Sequence, residues 1–146
     1  LYLTSVISFF SFCENLINDA FKATPNEEQV LVCSMILNEA QLDPKTNINL
    51  MLAVVWTETN FYMKSNPNTS GCAGPFQIKI KYWCPNKNNF WSIHLQDGLL
   101  SHCDLITRGL FAFNYYFNKD LPLTEKICLY GPAKNCHDYI ASDYSR

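Results

Sequence analysis

The run Met51-Leu52-Ala53-Val54-Val55-Trp56 is apolar on nearly every side at helical spacing. A helix that is hydrophobic all round is a buried one, so the rest of the chain must wrap it. This helix is expected to start near Asn47 and to carry Ile48 to Glu58. The wrapping is supplied on both sides in sequence. Leu3, Val6, Ile7, Phe10, Cys13, Ile17, Ala20 and Phe21 fall at three- and four-residue steps, one face of an amphipathic helix. Thr24-Pro25-Asn26-Glu27 reads as a capping box with Pro at the first helical position, predicting a helix to about Ala40 that Asp43-Pro44 breaks. Helix is expected again from near Leu95 to about Tyr116, then in two short pieces around Leu123 to Tyr130 and Ala133 to Ser142. Between Thr59 and Asn89, Gly71, Gly74, Pro67, Pro75 and Pro85 mark a loop-rich region with a short hairpin around Phe76 to Ile80.

Composition excludes several classes. With 146 residues, 48% of them hydrophobic, the chain has material for one core, and residues 1–146 read as a single domain. Low hydrophobicity and high net charge, the marks of disorder, are both missing at a net charge of −2. Eleven Lys and Arg against thirteen Asp and Glu do not make a generally basic nucleic-acid binder. No apolar run is long enough to read as a membrane span. The apolar start, Leu1 to Phe12, lacks a basic leading region and a small-x-small cleavage site. It reads as part of a mature chain from which any export signal has been removed.

Seven cysteines are spread from Cys13 to Cys136 with no Cys-x-x-Cys spacing. That distribution suits cross-links between distant elements better than metal ligands, and disulfides persist outside the reducing cytosol. The bland alternative is a set of buried free thiols. An odd count leaves at least one thiol unpaired within the chain.

Carboxylates are unevenly placed. From Pro44 to Gln96 there is only Glu58, against Lys45, Lys64, Lys79, Lys81 and Lys87. A cationic region around one carboxylate would attract an anionic substrate; the bland alternative is lysines scattered over solvated faces. Glu58 ends the most apolar helix of the chain, where the last-turn carbonyls disfavour an anion and nearby Trp56 and Phe61 can desolvate it. Both effects push a carboxyl towards the proton affinity a general acid needs near neutral pH. Other constellations are poorer. His94 and His102 are spaced too widely for a typical metal pair, and adjacent Cys136 and His137 do not supply nucleophile–base geometry. Asn68-Thr69-Ser70 matches a glycosylation sequon, and no phosphate-binding glycine loop is present. The aromatic cluster Phe111, Phe113, Tyr115, Tyr116 and Phe117 reads as core plus groove wall. No metal or cofactor is implied.

The run Trp56-Thr57-Glu58-Thr59-Asn60-Phe61, followed by Ser70-Gly71-Cys72-Ala73-Gly74-Pro75-Phe76-Gln77-Ile78, resembles the soluble lytic transglycosylases and the related goose-type lysozymes. In that family a helix ends in Glu-Ser-x-Phe or a close variant, and a Gly-x-x-Gly-x-x-Gln-Ile/Leu segment follows. Leu129-Tyr130-Gly131-Pro132 looks more loosely like the family's Ala-Tyr-Asn-Ala-Gly segment. Thr59 stands where Ser is common, the Asn after the Tyr is absent, and either Ser65 or Ser70 could be the family's loop serine.

The resemblance implies a mainly α, compact lysozyme-like domain with a short loop or β-hairpin lobe, here disulfide-stapled. It implies cleavage of peptidoglycan glycan strands between N-acetylmuramic acid and N-acetylglucosamine, with Glu58 as the single general acid and base and a 1,6-anhydro product. Gln77 would orient substrate, Tyr130 would hydrogen-bond Glu58, and Phe61 and Phe76 would wall the site. Gly74 would let the backbone pass close beneath the sugar, and Ser70 would contact it. The expected setting is periplasmic or extracellular, as a local wall remodeller serving an envelope-spanning secretion machine or a phage particle. Three alternatives compete: a hydrolytic lysozyme with Asp97 or Asp104 as second carboxylate, an inactive wall-binding module, and a stapled secreted helical protein unrelated to peptidoglycan.

Overall fold

A computed structural model describes residues 2–84 and 103–130. Its helices are α1 (Tyr2–Ile7), α2 (Phe10–Asn15), α3 (Glu27–Ala40), α4 (Ile48–Thr59), α5 (Ile80–Trp83), α6 (Leu105–Phe117) and α7 (Leu123–Tyr130). A π-helical turn, Leu16–Ala20, continues α2. The only strands among the described residues are β1 (Cys72–Ala73) and β2 (Ile78–Lys79), paired antiparallel with Cys72 opposite Lys79 and Ala73 opposite Ile78. The chain is thus mainly helical with one small hairpin. Among the described residues, no helix is long and apolar enough to cross a membrane.

The apolar run is buried as its composition demands. Asn47 caps α4 by accepting from the Leu50 amide at 3.2 Å, and Met51 to Val55 are all buried. α3 is its equal: it packs against α1, α2, α4 and α6, burying Val32, Cys33, Met35, Ile36 and Leu37. Its start differs from the expected one. The capping box is Asn26 with Gln29, not Thr24 with Glu27: Asn26 accepts from the Gln29 amide at 2.9 Å and donates its own amide to Gln29 Oε1 at 3.0 Å. Asn is the stronger cap, and Gln29 completes the reciprocal pair, so Pro25 stays just outside the helix.

The N-terminal segment is not one continuous helix. α1 ends at Ile7 and α2 begins at Phe10, which turns Ile7 and Phe12 outwards while Val6, Cys13 and Ile17 stay buried. A Cys13–Cys33 disulfide ties α2 to α3. A second, Cys84–Cys103, joins the end of α5 to the residues before α6. α6 opens at Leu105 because Asp104 is extended and its carboxylate accepts from the Ile106 and Thr107 amides at 3.0 and 3.1 Å. The expected start near Leu95 and the expected helix from Ala133 to Ser142 lie outside the described residues. α7 spans the expected Leu123–Tyr130.

Candidate active site

The end of α4 sets the site. Asn60 and Phe61 both adopt left-handed backbone, at φ +53° and +63°, which stops the helix at Thr59, one residue after Glu58. The turn that follows is gripped by the start of α3. Gln29 Nε2 donates to the Asn60 carbonyl at 3.1 Å, and the Met63 amide donates to the Glu28 carboxylate at 3.0 Å. Phe61 drops into the core and packs with Trp56 and Phe21, at ring centroid distances of 5.9 and 6.1 Å.

The hairpin is positioned against α4, α6 and α7 by a few specific contacts. Its turn, Gly74-Pro75-Phe76-Gln77, closes through the Gln77 amide donating to the Gly74 carbonyl at 3.0 Å. The Thr59 hydroxyl donates to the Pro75 carbonyl at 2.8 Å, and the Tyr130 hydroxyl donates to the Phe76 carbonyl. Two glycines make room for packing. A Cβ on Gly74 would lie 2.8 Å from Leu105 Cβ, and a Cβ on Gly109 would lie 2.4 Å from the Phe76 ring.

Between these elements lies a cleft of about 430 Å³, lined by Glu58, Ser70, Gln77 and Tyr130 together with Asn68, Cys72, Lys79, Tyr82, Trp83 and Tyr116. Glu58 is half-buried there, the only carboxylate among the described lining residues, and Lys79 the only lysine. Four residues singled out from sequence, carried on a helix end, a loop, a hairpin and a C-terminal helix, therefore share one concave surface. Ser70 lines it and Ser65 does not.

The other three expected site residues lie elsewhere. Phe61 and Phe76 are fully buried and line no part of the cleft. Their place is beneath it, because Phe76 fits the gap left by Gly109 and Phe61 fills the space beside Trp56. Gly74 is also buried, and the side its Cβ would occupy faces Leu105, so its missing side chain serves helix packing. Tyr130 has a further duty: with its one O–H proton donated to Phe76, any bond it shares with Glu58 is one it accepts. Of the aromatic cluster on α6, Tyr116 reaches the cleft, Phe113 and Phe117 are buried, and Phe111 and Tyr115 are exposed.

Gln77 is held firmly. Its backbone is left-handed at φ +52°, an unfavourable state for a residue with a side chain. Its amide donates through Nε2 to the Gly74 carbonyl at 3.0 Å and accepts at Oε1 from Asn68 Nδ2 at 3.1 Å. Asn68 in turn accepts at Oδ1 from the Ser70 and Cys72 amides, at 2.9 and 3.0 Å. The sequon asparagine thus spends its side chain organising the loop.

Cys72 is a free thiol on the cleft surface, across the hairpin from Lys79. Burial pushes its pKa above the ordinary thiol value, Lys79 pulls it down and Glu58 pushes it up. Among the described residues, no cluster of three or more His, Cys, Asp or Glu could hold a metal ion. His94, His102, Cys136 and His137 fall outside the described residues.

Sequence reading missed Asn68, Lys79, Tyr82 and Trp83 as lining residues. Lys79 was in reach, since hairpin pairing sets it directly opposite the motif residue Cys72, and residues opposite one another share a face. Tyr82 and Trp83 carried no such pattern. No protein-family model matches the chain, and no curated protein and no solved structure matches it at a significant level.

Proposed function

We propose that the protein is a peptidoglycan lytic transglycosylase, cutting the β-1,4 bond between N-acetylmuramic acid and N-acetylglucosamine with Glu58 as single general acid and base. The observation that carries this reading is the meeting of Glu58, Ser70, Gln77 and Tyr130 on one cleft. Those residues are distant in sequence and belong to separate parts of the motif.

In the proposed reaction the Glu58 carboxyl gives its proton to the glycosidic oxygen as the C1–O bond breaks. The acetamido carbonyl oxygen of the muramyl residue bonds to C1 from the opposite face and holds the positive charge. The Glu58 carboxylate then takes the proton of the muramyl 6-hydroxyl, whose oxygen bonds to C1 as the acetamido group leaves. Most glycosidases flank the bond with two carboxylates, and the acetamido group takes the place of the second here. The lone Glu58 among the described lining residues favours this route over a hydrolytic one. Of the two alternative partners, Asp104 commits its carboxylate to capping α6, and Asp97 lies outside the described residues. Two disulfides support an exported protein, and local remodelling of the wall, for a secretion machine or a phage particle, is the setting proposed.

Mass spectrometry of muropeptides released from purified sacculi tests the reading. Products one water lighter than the reducing forms are expected. Reducing ends would make the enzyme a lysozyme on the same site. Sacculus binding with no release would make it a wall-binding module, and neither binding nor release would remove peptidoglycan as the partner.

A further inference from the structure

The hydrogen bonds around Gln77 have a fixed direction that starts at Asn68, three residues before Gly71. The Ser70 and Cys72 backbone amides can only donate, so the Asn68 atom they meet, at 2.9 and 3.0 Å, must be the oxygen. The other end of the Asn68 amide is then a nitrogen, which can only donate. It faces Gln77 at 3.1 Å, so the Gln77 atom there must be oxygen. The far end of Gln77 is therefore nitrogen, and the Gly74 carbonyl at 3.0 Å, which can only accept, requires the same assignment. Both ends of the chain agree. An Nε2 carries two protons, and the Gly74 carbonyl takes one.

We infer that Asn68 is a positioning residue that fixes Gln77 as a hydrogen-bond donor towards the cleft, so that the cleft selects glycans presenting a carbonyl acceptor. On a glycan of amino sugars that acceptor is the acetamido oxygen, which de-N-acetylation replaces with an ammonium donor. An ammonium facing the N–H of Gln77 leaves both donors unpaired. The inference rests on the reading of the cleft as a glycan site, and it adds what sets the polarity of that site.

Asn68→Asp separates this role from loop folding. The new carboxylate keeps an oxygen for the Ser70 and Cys72 amides but turns an acceptor towards Gln77 Oε1, so the Gln77 amide must reverse or swing away. The test is tryptophan-fluorescence titration with fully N-acetylated and with chemically de-N-acetylated glycan strands from sacculi, Trp83 being a cleft residue. A Glu58→Gln background prevents turnover and removes that carboxyl's titration. The parent should prefer the N-acetylated strands by about 5- to 10-fold, the worth of one neutral hydrogen bond. Adding Asn68→Asp should abolish the preference at pH 7. It should return as the pH falls to about 4, where the carboxyl gains a proton to donate. In a Gln77→Ala background Asn68→Asp should change nothing further. Should Asn68→Asp fail to fold, Gln77→Glu should lose the same preference. It keeps an acceptor for Asn68 and leaves the Asn68 bonds to the Ser70 and Cys72 amides, but removes every donor proton of the side chain, the one to the Gly74 carbonyl included.

A preference that survives Asn68→Asp or Gln77→Glu, an Asn68→Asp effect that persists without Gln77, or an absence of recovery at low pH would each overturn the inference. Binding of both strands without preference in the parent would overturn it alone and leave the cleavage reading standing. Binding of neither would overturn the inference and the glycan-site reading together.

Discussion

α4 and the hairpin both contribute to the cleft, and they are held by different physics. α4 is fixed by apolar burial from Met51 to Val55, a diffuse contact that no single polar substitution removes. The hairpin pairs only two residues with two; Ala73, Phe76 and Ile78 reach into the core, and its position depends on a few point contacts: Thr59 on Pro75, Tyr130 on Phe76, and Phe76 in the gap over Gly109. The proposed acid therefore sits on the robust element, and the residues that orient substrate around it sit on the delicate one. Small changes at the hairpin should disturb binding before they disturb the fold, and small changes inside α4 should do the reverse.

Gly109→Val should break the contrast most severely. Its Cβ would lie 2.4 Å from the Phe76 ring, so the hairpin must leave α6; a loss of about 3 kcal/mol is expected in urea unfolding, with no measurable cleavage. Val54→Ala, inside α4, should cost about 2 kcal/mol through lost burial and a cavity, while KM stays unchanged wherever the variant is folded. Thr59→Val removes the donor to the buried Pro75 carbonyl at similar volume. It should cost about 1 to 2 kcal/mol, and KM should rise where Val54→Ala leaves it alone.

The smallest effect concerns Cys72, whose pKa lies above the ordinary thiol value because of burial, with Lys79 opposing and Glu58 adding. Because the neutral thiol is favoured in the fold, its contribution to stability is full below the unfolded thiol pKa and declines as pH rises through the folded one. Its alkylation rate by iodoacetamide should keep rising past the pH at which a free cysteine levels off. Denaturation should restore the ordinary profile.

The sequence was most legible where one physical effect dominates. The all-round apolar run named α4, and the glycine–proline cluster marked the loop region, although the hairpin pairs Cys72–Ala73 with Ile78–Lys79 rather than lying around Phe76 to Ile80, where Ile80 opens a helix instead. Gln29 was harder, because two overlapping capping boxes compete around Pro25, and the one that forms is the reciprocal pair of Asn26 with Gln29. Glu58, Gln77, Ser70 and Tyr130 were found through a motif, which records positions and not burial. That is why Phe61 and Phe76, adjacent to site residues in sequence, were expected in the wall when strand and helix geometry turns them into the core. Gly109 left no trace at all: its role depends on the ring of Phe76, which lies 33 residues away in sequence. Asn68 showed only as a sequon, since its value lies in the direction of bonds that a sequence does not display.

The most direct test of Glu58 as the single acid and base is the cleavage rate of Glu58→Gln on sacculi, measured beside its thermal midpoint. The account predicts a rate lowered by about 100-fold or more with the midpoint nearly unchanged, since the substitution keeps the side chain's shape on a buried helix and removes only its proton chemistry. A variant that keeps more than about a tenth of the wild-type rate would contradict it.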